Sequence, residues 1–453
     1  MSSLLWLVYE AGLGLALLTA GPFLLARRGR HYLPTLAGRL GGAGDGGGGG
    51  TGAEGAAGAA AGGLWLHAVS VGEVGVAATL ARALPPALPL VVSSVTPTGQ
   101  ALARKAFAGR AQVAYLPFDL RPAVARFWRR FAPAALVLVE GDYWPLLLRE
   151  ARRRGMPVAV VNGRVGDKSF RRMRRLRPLA ADLLFSGIER FGVQSDEDRG
   201  RLLALGVAAS RLTVTGNLKF ETPEPPSGAD LAAGIRRLAG GRPVLIAGST
   251  MPGEDEQVLR AFAALGSGRR ALLVLAPRHP ERWDEVERLL AASGLRLARR
   301  SRMAAAGAAA APTPLDVLLL DSMGELAALY QIAGAAFIGG SLVGTGGHNP
   351  LEAARYGIAI AVGPSTHNFR DVAERFDAAG AWLRVADADG LARAWGEWLS
   401  DPATARRQGE RAAALVVENR GALDRTLEML APLLGRLAAG RRAAEGGETY
   451  GGA

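Results

Sequence analysis

The chain has 453 residues, contains no cysteine and carries a net charge of +13, from 54 Lys and Arg against 41 Asp and Glu. This length predicts two domains, and the lack of cysteine excludes disulfides and thiolate chemistry. The positive charge favours an anionic membrane surface or an anionic substrate as partner. Nucleic acid is a weaker prediction, because the chain has neither zinc-finger spacing nor an aromatic-rich RNA-binding signature. Its five histidines are widely scattered, which argues against a histidine-based metal site.

The N-terminal stretch from Leu4 to Leu25 is apolar apart from Glu10, Tyr9 and a few small residues. It is long enough to cross a bilayer, for which about 20 residues are needed. No positive charge precedes it, which argues against a cleaved signal peptide, and the arginines that follow place the rest of the chain on the cytoplasmic side. Because Glu10 is costly at membrane depth, a helix lying in the membrane interface is the alternative. We predict a membrane anchor over residues 1–30.

Residues 31–63 form a basic segment followed by a Gly- and Ala-rich stretch that has little to pack, which predicts a flexible linker. Beyond this linker, short apolar runs alternate with helical patterns, which indicates parallel strands joined by crossover helices. The alternation restarts after the proline-rich segment 221–226, which suits an interdomain linker. We predict an N-terminal Rossmann-like domain at 64–221, a C-terminal one with terminal helices at 222–437, a cleft between them, and a disordered tail at 438–453.

Polar side chains follow several strands of the first predicted domain, at the edge where parallel sheets bind ligands. Glu73 follows the first strand, in the first turn of a helix, and Ser70 and Glu73 have the spacing of a capping box. The alternative for Glu73 is a catalytic base held ionised by the helix dipole. Glu140 and Asp142 follow another strand, where they either share a reacting centre or pair with a basic residue and cap a helix. Lys219 lies near the interdomain linker, where a lone lysine is more often solvated than catalytic.

The second predicted domain has three such strand ends. Arg278 directly follows a strand and suits a phosphate, with a surface arginine in a turn as the alternative. Glu325 follows another strand and is placed to hold a ribose or a base. The glycine-rich loop before Asn349 predicts a cradle of free N–H groups for a nucleotide or sugar phosphate, with a tightly packed connection as an equal alternative. Asn349 is expected to cap the next helix, with Pro350 in its first position and Glu352 bonding back to its start.

A dense basic run lies in the first predicted domain. Its members are Lys168, Arg171, Arg172, Arg174, Arg175 and Arg177. Positions 171, 174, 175 and 178 share one face of a predicted helix, which makes a basic stripe. Contact with anionic lipid headgroups or an acidic acceptor is one interpretation, and a solvated charged helix is the other.

Together these segments resemble the 3-deoxy-D-manno-octulosonic acid (Kdo) transferases of lipopolysaccharide assembly, which move Kdo from CMP-Kdo to a lipid A precursor, lipid IVA. The matching segments follow the family's order along the chain, and the ordered set is far more specific than any one member. They are His67–Glu73, Thr96–Gly99, Tyr115–Asp119, Gly216–Phe220, Pro277–Arg282, Asp321–Leu326, and Gly339–Val343 with Gly346–Glu352.

The resemblance implies a GT-B fold and a metal-independent, inverting glycosyltransferase without a cofactor, anchored at the cytoplasmic face of the inner membrane. It implies that Glu73 is the general base and that Glu140 and Lys219 stabilise the transition state. The positions that match the family's CMP contacts are Pro277, Arg278, Met323, Gly324, Glu325, Asn349, Pro350, Leu351 and Glu352.

Two segments depart from the family's pattern. Where the family usually has Glu-Thr-Glu-Leu-Trp-Pro-Asn, this chain has the shorter carboxylate Asp142 and ends the motif with Leu146 instead of Asn. Met251 replaces a histidine that would have faced the donor. A transferase for another nucleotide sugar is therefore one alternative. A non-catalytic lipid- or nucleotide-binding relative is another, although the joint retention of the base and both stabilising residues argues against it.

Overall fold

The computed structural model describes residues 6, 9–16, 18–19, 33–42, 62–221, 229–266, 270–306 and 315–447. The chain divides into two compact units, the first formed by residues 1–219 with 421–453 and the second by residues 220–420. Each unit contains a seven-stranded sheet with helices joining its strands. The prediction of an α/β fold with two domains is therefore confirmed.

The first unit has an entirely parallel sheet with the strand order β3-β2-β1-β4-β5-β6-β7. The strands are β1 (Leu64–His67), β2 (Leu90–Ser94), β3 (Gln112–Tyr115), β4 (Ala135–Val139), β5 (Val158–Gly163), β6 (Arg190–Val193) and β7 (Leu212–Val214). The chain reverses its direction of winding between β1 and β4. The loops that follow these two strands therefore flank a crevice at the carboxyl edge of the sheet, where such folds bind ligands.

Helices cover both faces of this sheet. They are α1 (Val71–Ala83), α2 (Pro97–Ala106), α3 (Arg121–Phe131), α4 (Pro145–Arg153), α5 (Asp167–Arg175) and α6 (Asp196–Ala204), with shorter helical pieces at Leu33–Thr35, Leu36–Arg39, Arg177–Ala180, Ala181–Phe185, Ala209–Arg211 and Leu218–Phe220. Trp65 packs with Phe127 on one face of β1, and Leu64 and Leu66 pack on the other face. Burial on both faces explains why the central strands read as continuous apolar runs.

The second unit repeats the plan with the strand order β10-β11-β9-β8-β12-β13-β14, again all parallel. The strands are β8 (Val244–Thr250), β9 (Leu272–Pro277), β10 (Leu297–Arg299), β11 (Val317–Leu319), β12 (Ala335–Ile338), β13 (Ala359–Val362) and β14 (Leu383–Arg384). Here the winding reverses between β8 and β12. The loops after those two strands therefore flank the corresponding crevice of the second sheet.

Helices also join the strands of the second unit. They are α7 (Ala229–Ala239), α8 (Asp255–Ala264), α9 (Trp283–Ala292), α10 (Arg300–Ala306), α11 (Arg370–Ala379), α12 (Ala388–Ser400) and α13 (Pro402–Glu418), with short turns at Pro280–Arg282, Leu326–Leu329, Tyr330–Ile332, Leu351–Ala354 and His367–Phe369. A last helix, α14 (Ala422–Gly447), belongs to the first unit. Sequence patterns predicted every strand except β10, which has only three residues and an arginine at its end.

The C-terminal helix α14 corrects two predicted boundaries. Leu430, Leu433 and Leu437 on this helix are buried in the apolar core of the first sheet, so the terminal helix packs on the first unit and not on the second. The predicted disordered tail at 438–453 is wrong as far as Gly447, because the helix continues to that residue. Alanine and arginine favour helix there, and the isolated Gly440 is too small a penalty to end it before the glycine pair at 446–447. Residues 448–453 lie outside the described part.

The N-terminal segment contacts the first unit. Residues 9–16 are helical; the Tyr9 hydroxyl donates to Asp119 Oδ2 at 3.0 Å, and Glu10 pairs with Arg121 at 2.5 Å. Glu10, which is costly at membrane depth, thus has a cationic partner. Most of the predicted anchor and of the predicted glycine-rich linker lies outside the described residues. Among the residues that are described, no helix combines the length and apolarity needed to cross a bilayer.

The basic run is spread over two helical pieces. Helix α5 has no buried residue, and all six basic side chains of the run are exposed. The helix ends at Arg175, and Leu176 separates it from the short helical piece Arg177–Ala180, whose Pro178 has no N–H group with which to continue the hydrogen bonds of α5. Position 178 is therefore not on the helix face shared by Arg171 and Arg174, contrary to the prediction. Exposure is compatible with both interpretations of the run.

Asp119 supplies a test of the first unit's stability. Its buried carboxylate accepts the N–H groups of Leu146 at 2.9 Å and Leu147 at 2.8 Å, which lie in the first turn of α4. Because Asp119→Asn weakens this cap, we expect the free energy of unfolding to fall by about 1–2 kcal/mol, measured by urea titration of the full chain. Asp196→Asn, at an exposed first-turn position of α6, is the control. An unchanged midpoint for Asp119→Asn would contradict the capping role.

Candidate active site

Glu73 lies at the start of α1, directly after the central strand β1. Ser70 is the N-cap residue: its Oγ accepts from the Glu73 N–H and donates to Glu73 Oε1 at 2.8 Å. The Val69 N–H donates to Glu73 Oε2 at 2.8 Å. The Ser70 half of the predicted capping box is therefore present, while the Glu73 carboxylate bonds back to Val69, one residue before the N-cap. These bonds fix both oxygens of the carboxylate at the switch point of the sheet.

The environment of Glu73 makes its carboxyl group a weaker acid than an ordinary glutamate. Burial, together with the negative charges of Glu140 and Asp142, raises the pKa of Glu73 to about 7, although the bonds from Val69 and Ser70 oppose the shift. A carboxyl with this pKa is about half ionised at neutral pH, the condition in which a general base is most effective. Burial also raises the pKa of Asp142. The capping box and a basic role are thus compatible in one residue.

Glu140 and Lys219 form an ion pair close to this carboxylate. Lys219 Nζ lies 2.6 Å from Glu140 Oε1, and both side chains are mostly buried. A methyl group placed on Gly72 would come within 3.7 Å of Lys219 Nζ, so the lysine lies against the first turn of α1. The structure therefore brings together Glu73, Glu140 and Lys219, which the sequence identified separately.

Asn162 is a member of this cluster that sequence reasoning missed. It is fully buried, its amide nitrogen donates to Glu140 Oε1 at 3.4 Å, and its oxygen accepts the Leu218 N–H at 2.8 Å, beside Lys219. Both Glu140 and Asn162 have left-handed backbones, with φ of 69° and 55°. Such conformations are unfavourable for residues other than glycine, and they are concentrated at functional sites. The only sequence signal was an asparagine at a strand end.

In the second unit, Arg278, His348 and Glu352 lie near one another. Arg278 lowers the pKa of Glu352, opposing the rise that burial causes, and a side-chain hydrogen bond from Asn349 also lowers it. Burial and the charges of Arg278 and His279 lower the pKa of His348 to about 4, so that imidazole is neutral at neutral pH. The loops after β9 and β12 therefore bring Arg278, His348 and Glu352 into one charged cluster.

The helix predicted at Asn349 is a single turn, Leu351–Ala354. Asn349 Oδ1 accepts the Leu351 N–H at 3.0 Å, but Pro350 is the N-cap of this turn, so Asn349 lies one residue before the predicted capping position and Pro350 does not open the helix. Glu352 interacts with the Asn349 side chain, as the sequence predicted. A helix of one turn has a weak dipole, and the side chains here carry more of the electrostatics than the backbone.

The loop after β11 is held by arginines. Arg300 pairs with both oxygens of Glu325 at 2.8 and 3.1 Å, and the Ser322 hydroxyl also donates to Glu325. Met323 is 66% exposed, and Gly324 has φ of 84°, which only glycine adopts readily. Arg300 follows the unpredicted strand β10, so sequence reasoning had no strand end at which to look for it.

The glycine-rich loop after β12 is a packed connection and not a cradle of free N–H groups. The N–H groups of Gly340, Ser341 and Leu342 all donate to the buried carboxylate of Glu254, at 2.6, 2.9 and 2.8 Å. A protein carboxylate thus occupies the place that the predicted ligand anion would have taken. Of the two interpretations offered by the sequence, tight packing is correct for this part of the loop.

These contacts assemble two side-chain clusters. The first contains Glu73, Glu140 and Lys219 with Asn162, and the second contains Arg278 and Glu352 with His348. In the parts of the chain that the structure describes, no group of three His, Asp or Glu side chains is placed to hold a metal ion.

The titration of Glu73 can be measured directly. In protein labelled at the glutamate carboxyl carbon, we expect one NMR resonance to titrate near pH 7 and to be lost in Glu73→Gln. Asp142→Asn removes a negative neighbour, so this transition should move to lower pH, whereas the exposed Glu197→Gln should leave it unchanged. Because the folded pKa lies above the ordinary 4.5, ionisation of Glu73 costs folding free energy between about pH 4.5 and 7. A transition that Asp142→Asn fails to move would contradict the proposed proximity.

Comparisons with known proteins identify the family of this chain. The family profile described as "3-Deoxy-D-manno-octulosonic-acid transferase (kdotransferase)" matches residues 38–222. The 3-deoxy-D-manno-octulosonic acid transferase of Bordetella pertussis is 40% identical over 384 residues, covering 82% of this chain and 87% of the relative. The enzyme of that name from Haemophilus influenzae is 34% identical, covering 83% and 88%.

Among solved structures, the C-terminal CMP-Kdo binding domain of WaaA from Acinetobacter baumannii is 32% identical with a TM-score of 0.38, covering 41% of this chain and 96% of that domain. The assignment depends on the two full-length relatives, because their identity extends across most of both chains. It makes the protein an enzyme that transfers a glycosyl group. The chain belongs to the 3-deoxy-D-manno-octulosonic acid transferase family of glycosyltransferases.

Proposed function

We propose that this chain transfers Kdo from CMP-Kdo to a lipid A precursor, lipid IVA, in lipopolysaccharide biosynthesis, by metal-independent inverting transfer on a GT-B fold. The observation that carries the proposal is a half-buried Glu73 with a pKa of about 7 beside the Glu140–Lys219 ion pair. Membership of the Kdo transferase family supports the choice of sugar. The enzyme is proposed to act at the cytoplasmic face of the inner membrane, anchored by its N-terminal residues.

Glu73 is the base in this proposal. Its ionised carboxylate takes the proton of the acceptor hydroxyl, and the oxygen attacks the anomeric carbon of Kdo from the face opposite the phosphate. The bond from that carbon to the phosphate oxygen breaks, its electron pair leaves with CMP, and the configuration inverts. The bonds from Val69 and Ser70 hold the carboxylate in one orientation throughout. No proton acceptor other than this carboxylate is required.

The ion pair stabilises charge during the transfer. Lys219, held 2.6 Å from Glu140 Oε1, provides a fixed cation, and Asn162 donates to the same oxygen. A charge that is already oriented needs no reorganisation when the transition state forms, which makes it more effective than a mobile one. The strained backbones of Glu140 and Asn162 are consistent with this demand for fixed geometry.

The second unit is proposed to bind CMP. Arg278 offsets the charge of the leaving phosphate, while Glu352, restrained by Asn349, accepts a hydroxyl of the ribose. Pro277, Pro350 and Leu351 shape this end of the site. The Met323–Glu325 turn, held by Arg300, contacts the remainder of the nucleotide. The proposal requires both units to act on a single pair of substrates.

Replacement of the base should abolish transfer without abolishing donor binding. In Glu73→Gln, which has no proton acceptor, we expect transfer to lipid IVA in chelator-containing buffer to fall by about 10²–10⁴-fold, measured by mass spectrometry of the product lipid. CMP affinity should be unchanged. Glu197→Gln, another first-turn glutamate of the same unit, is the control. Near-normal transfer by Glu73→Gln would refute the assignment of the base.

The choice of nucleotide separates this proposal from a transferase for another nucleotide sugar. CMP, and not UDP, should raise the thermal unfolding temperature of the full chain, because binding to the folded state stabilises it. Arg278→Ala should weaken CMP binding about tenfold or more, the loss expected for a charge-assisted hydrogen bond. The exposed Arg288→Ala is the matched control. Protection by UDP instead of CMP would favour the alternative donor, and protection by neither would favour a non-catalytic relative.

A further inference from the structure

We propose that Glu254 and Asp255 are the positioning residues of the CMP site, each holding one of two loops that carry donor contacts. We call these the donor loops: residues 277–282, after β9, and residues 339–352, after β12. The inference rests on the proposed function, because that function assigns donor contacts to these loops. Glu254 and Asp255 themselves do not touch the nucleotide in this proposal.

The carboxylate of Glu254 binds the backbone N–H groups of the second donor loop. Its side chain is fully buried, and its two oxygens accept four N–H groups, from Met251 at 2.9 Å and from Gly340, Ser341 and Leu342. Successive backbone N–H groups in such a concave turn usually bind a phosphate or another anion. Here the protein supplies the anion. These N–H groups are therefore committed to the loop's shape and not available to the donor.

Backbone hydrogen bonds connect the segment that Glu254 binds to the residues that carry the donor contacts. The Gly347 N–H donates to the Gly340 carbonyl at 2.7 Å, and the His348 N–H donates to the Gly339 carbonyl at 3.1 Å. The segment restrained by Glu254 is thus bonded to the residues immediately before Asn349. A methyl group on Gly340 would lie only 2.9 Å from the His348 ring, so the two ends of the loop are in close contact. A shift at Gly340 would displace the turn that carries Glu352.

Asp255 holds the other donor loop. It is fully buried, accepts the Thr250 hydroxyl at 2.6 Å and pairs with Arg282, which is itself 8% exposed. The Arg278 N–H donates to the Thr250 carbonyl at 3.0 Å, so the same strand end fixes the beginning and the end of this loop. Neighbouring acids at the start of α8 therefore restrain both loops from one place. That place is the switch point of the second sheet.

This arrangement makes a distinct electrostatic prediction for the donor. Because Glu254 saturates the loop N–H groups, the leaving phosphate must be offset by side chains, and Arg278 is the cation at the end of β9. In Glu254→Gln, an amide NH2 replaces one oxygen and faces backbone N–H donors, which cannot bond to it. The loop must then move, although the fold retains its apolar core. The substitution should therefore weaken the binding of CMP and leave the titration of Glu73 in the first unit unchanged.

The test compares Glu254→Gln with Glu256→Gln, an exposed neighbour on α8. Isothermal titration of CMP should show an affinity loss of about tenfold or more for Glu254→Gln and none for Glu256→Gln. The KM for CMP-Kdo should rise similarly, while the KM for the lipid acceptor and the titration of Glu73 should stay unchanged. Asp255→Asn should also weaken CMP binding, and Glu254→Asp, which keeps the charge, should recover part of the loss.

The outcomes are separable. Failure of the wild-type protein to bind CMP would overturn the proposed function itself. Wild-type binding of CMP with equal affinity in Glu254→Gln would overturn only the positioning role. A fall in the active fraction, with unchanged donor KM in the remaining folded protein, would likewise show that Glu254 serves stability alone. If Glu254→Gln does not fold, Glu254→Asp and Asp255→Asn give the same comparison, and normal donor KM in both would refute the proposal.

Discussion

A carboxylate that bonds back to the backbone at the start of a helix is the interaction on which both units depend. Glu73 follows β1 and accepts the N–H of Val69, while Glu254 follows β8 and accepts the N–H of Met251. Both strands lie at the point where the winding of their sheet reverses. In each unit, a carboxyl side chain is therefore placed where a parallel sheet opens its crevice.

The two carboxylates differ in how far their charge is satisfied. Glu254 accepts four backbone N–H groups, so its oxygens are saturated and its role is architectural. Glu73 has one backbone N–H and one hydroxyl, with the negative charges of Glu140 and Asp142 nearby. Burial and these negative charges, which the two hydrogen bonds compensate only in part, raise the pKa of Glu73 and leave it able to accept a proton. The same interaction, a carboxylate that accepts a backbone N–H at the start of a helix, thus fixes a loop in the second unit and positions a proton acceptor in the first.

The candidate site shows where sequence reasoning works and where it fails. The strand ends were predictable, because apolar runs identify strands and polar residues directly after them face the crevice. The partners of those residues were not predictable. Asn162 contacts Glu140 from the end of β5, which reads as an ordinary strand, and Arg300 pairs with Glu325 after β10, a strand too short to predict. The glycine-rich loop shows the same limit, since its glycines suit both a ligand cradle and the tight packing that Glu254 imposes.

The sequence by itself determined the alternation of strands and helices, the family resemblance and the identity of the residues at strand ends, because these depend on local patterns and ordered motifs. Tertiary structure alone decided three other features. It placed α14 on the first unit, since the fit of Leu430 and Leu433 to the first sheet is a property of packing and not of chain order. It raised the pKa of Glu73, because burial and neighbouring charges act through space. It also committed the loop N–H groups to Glu254, a contact across more than eighty residues that no local pattern reveals.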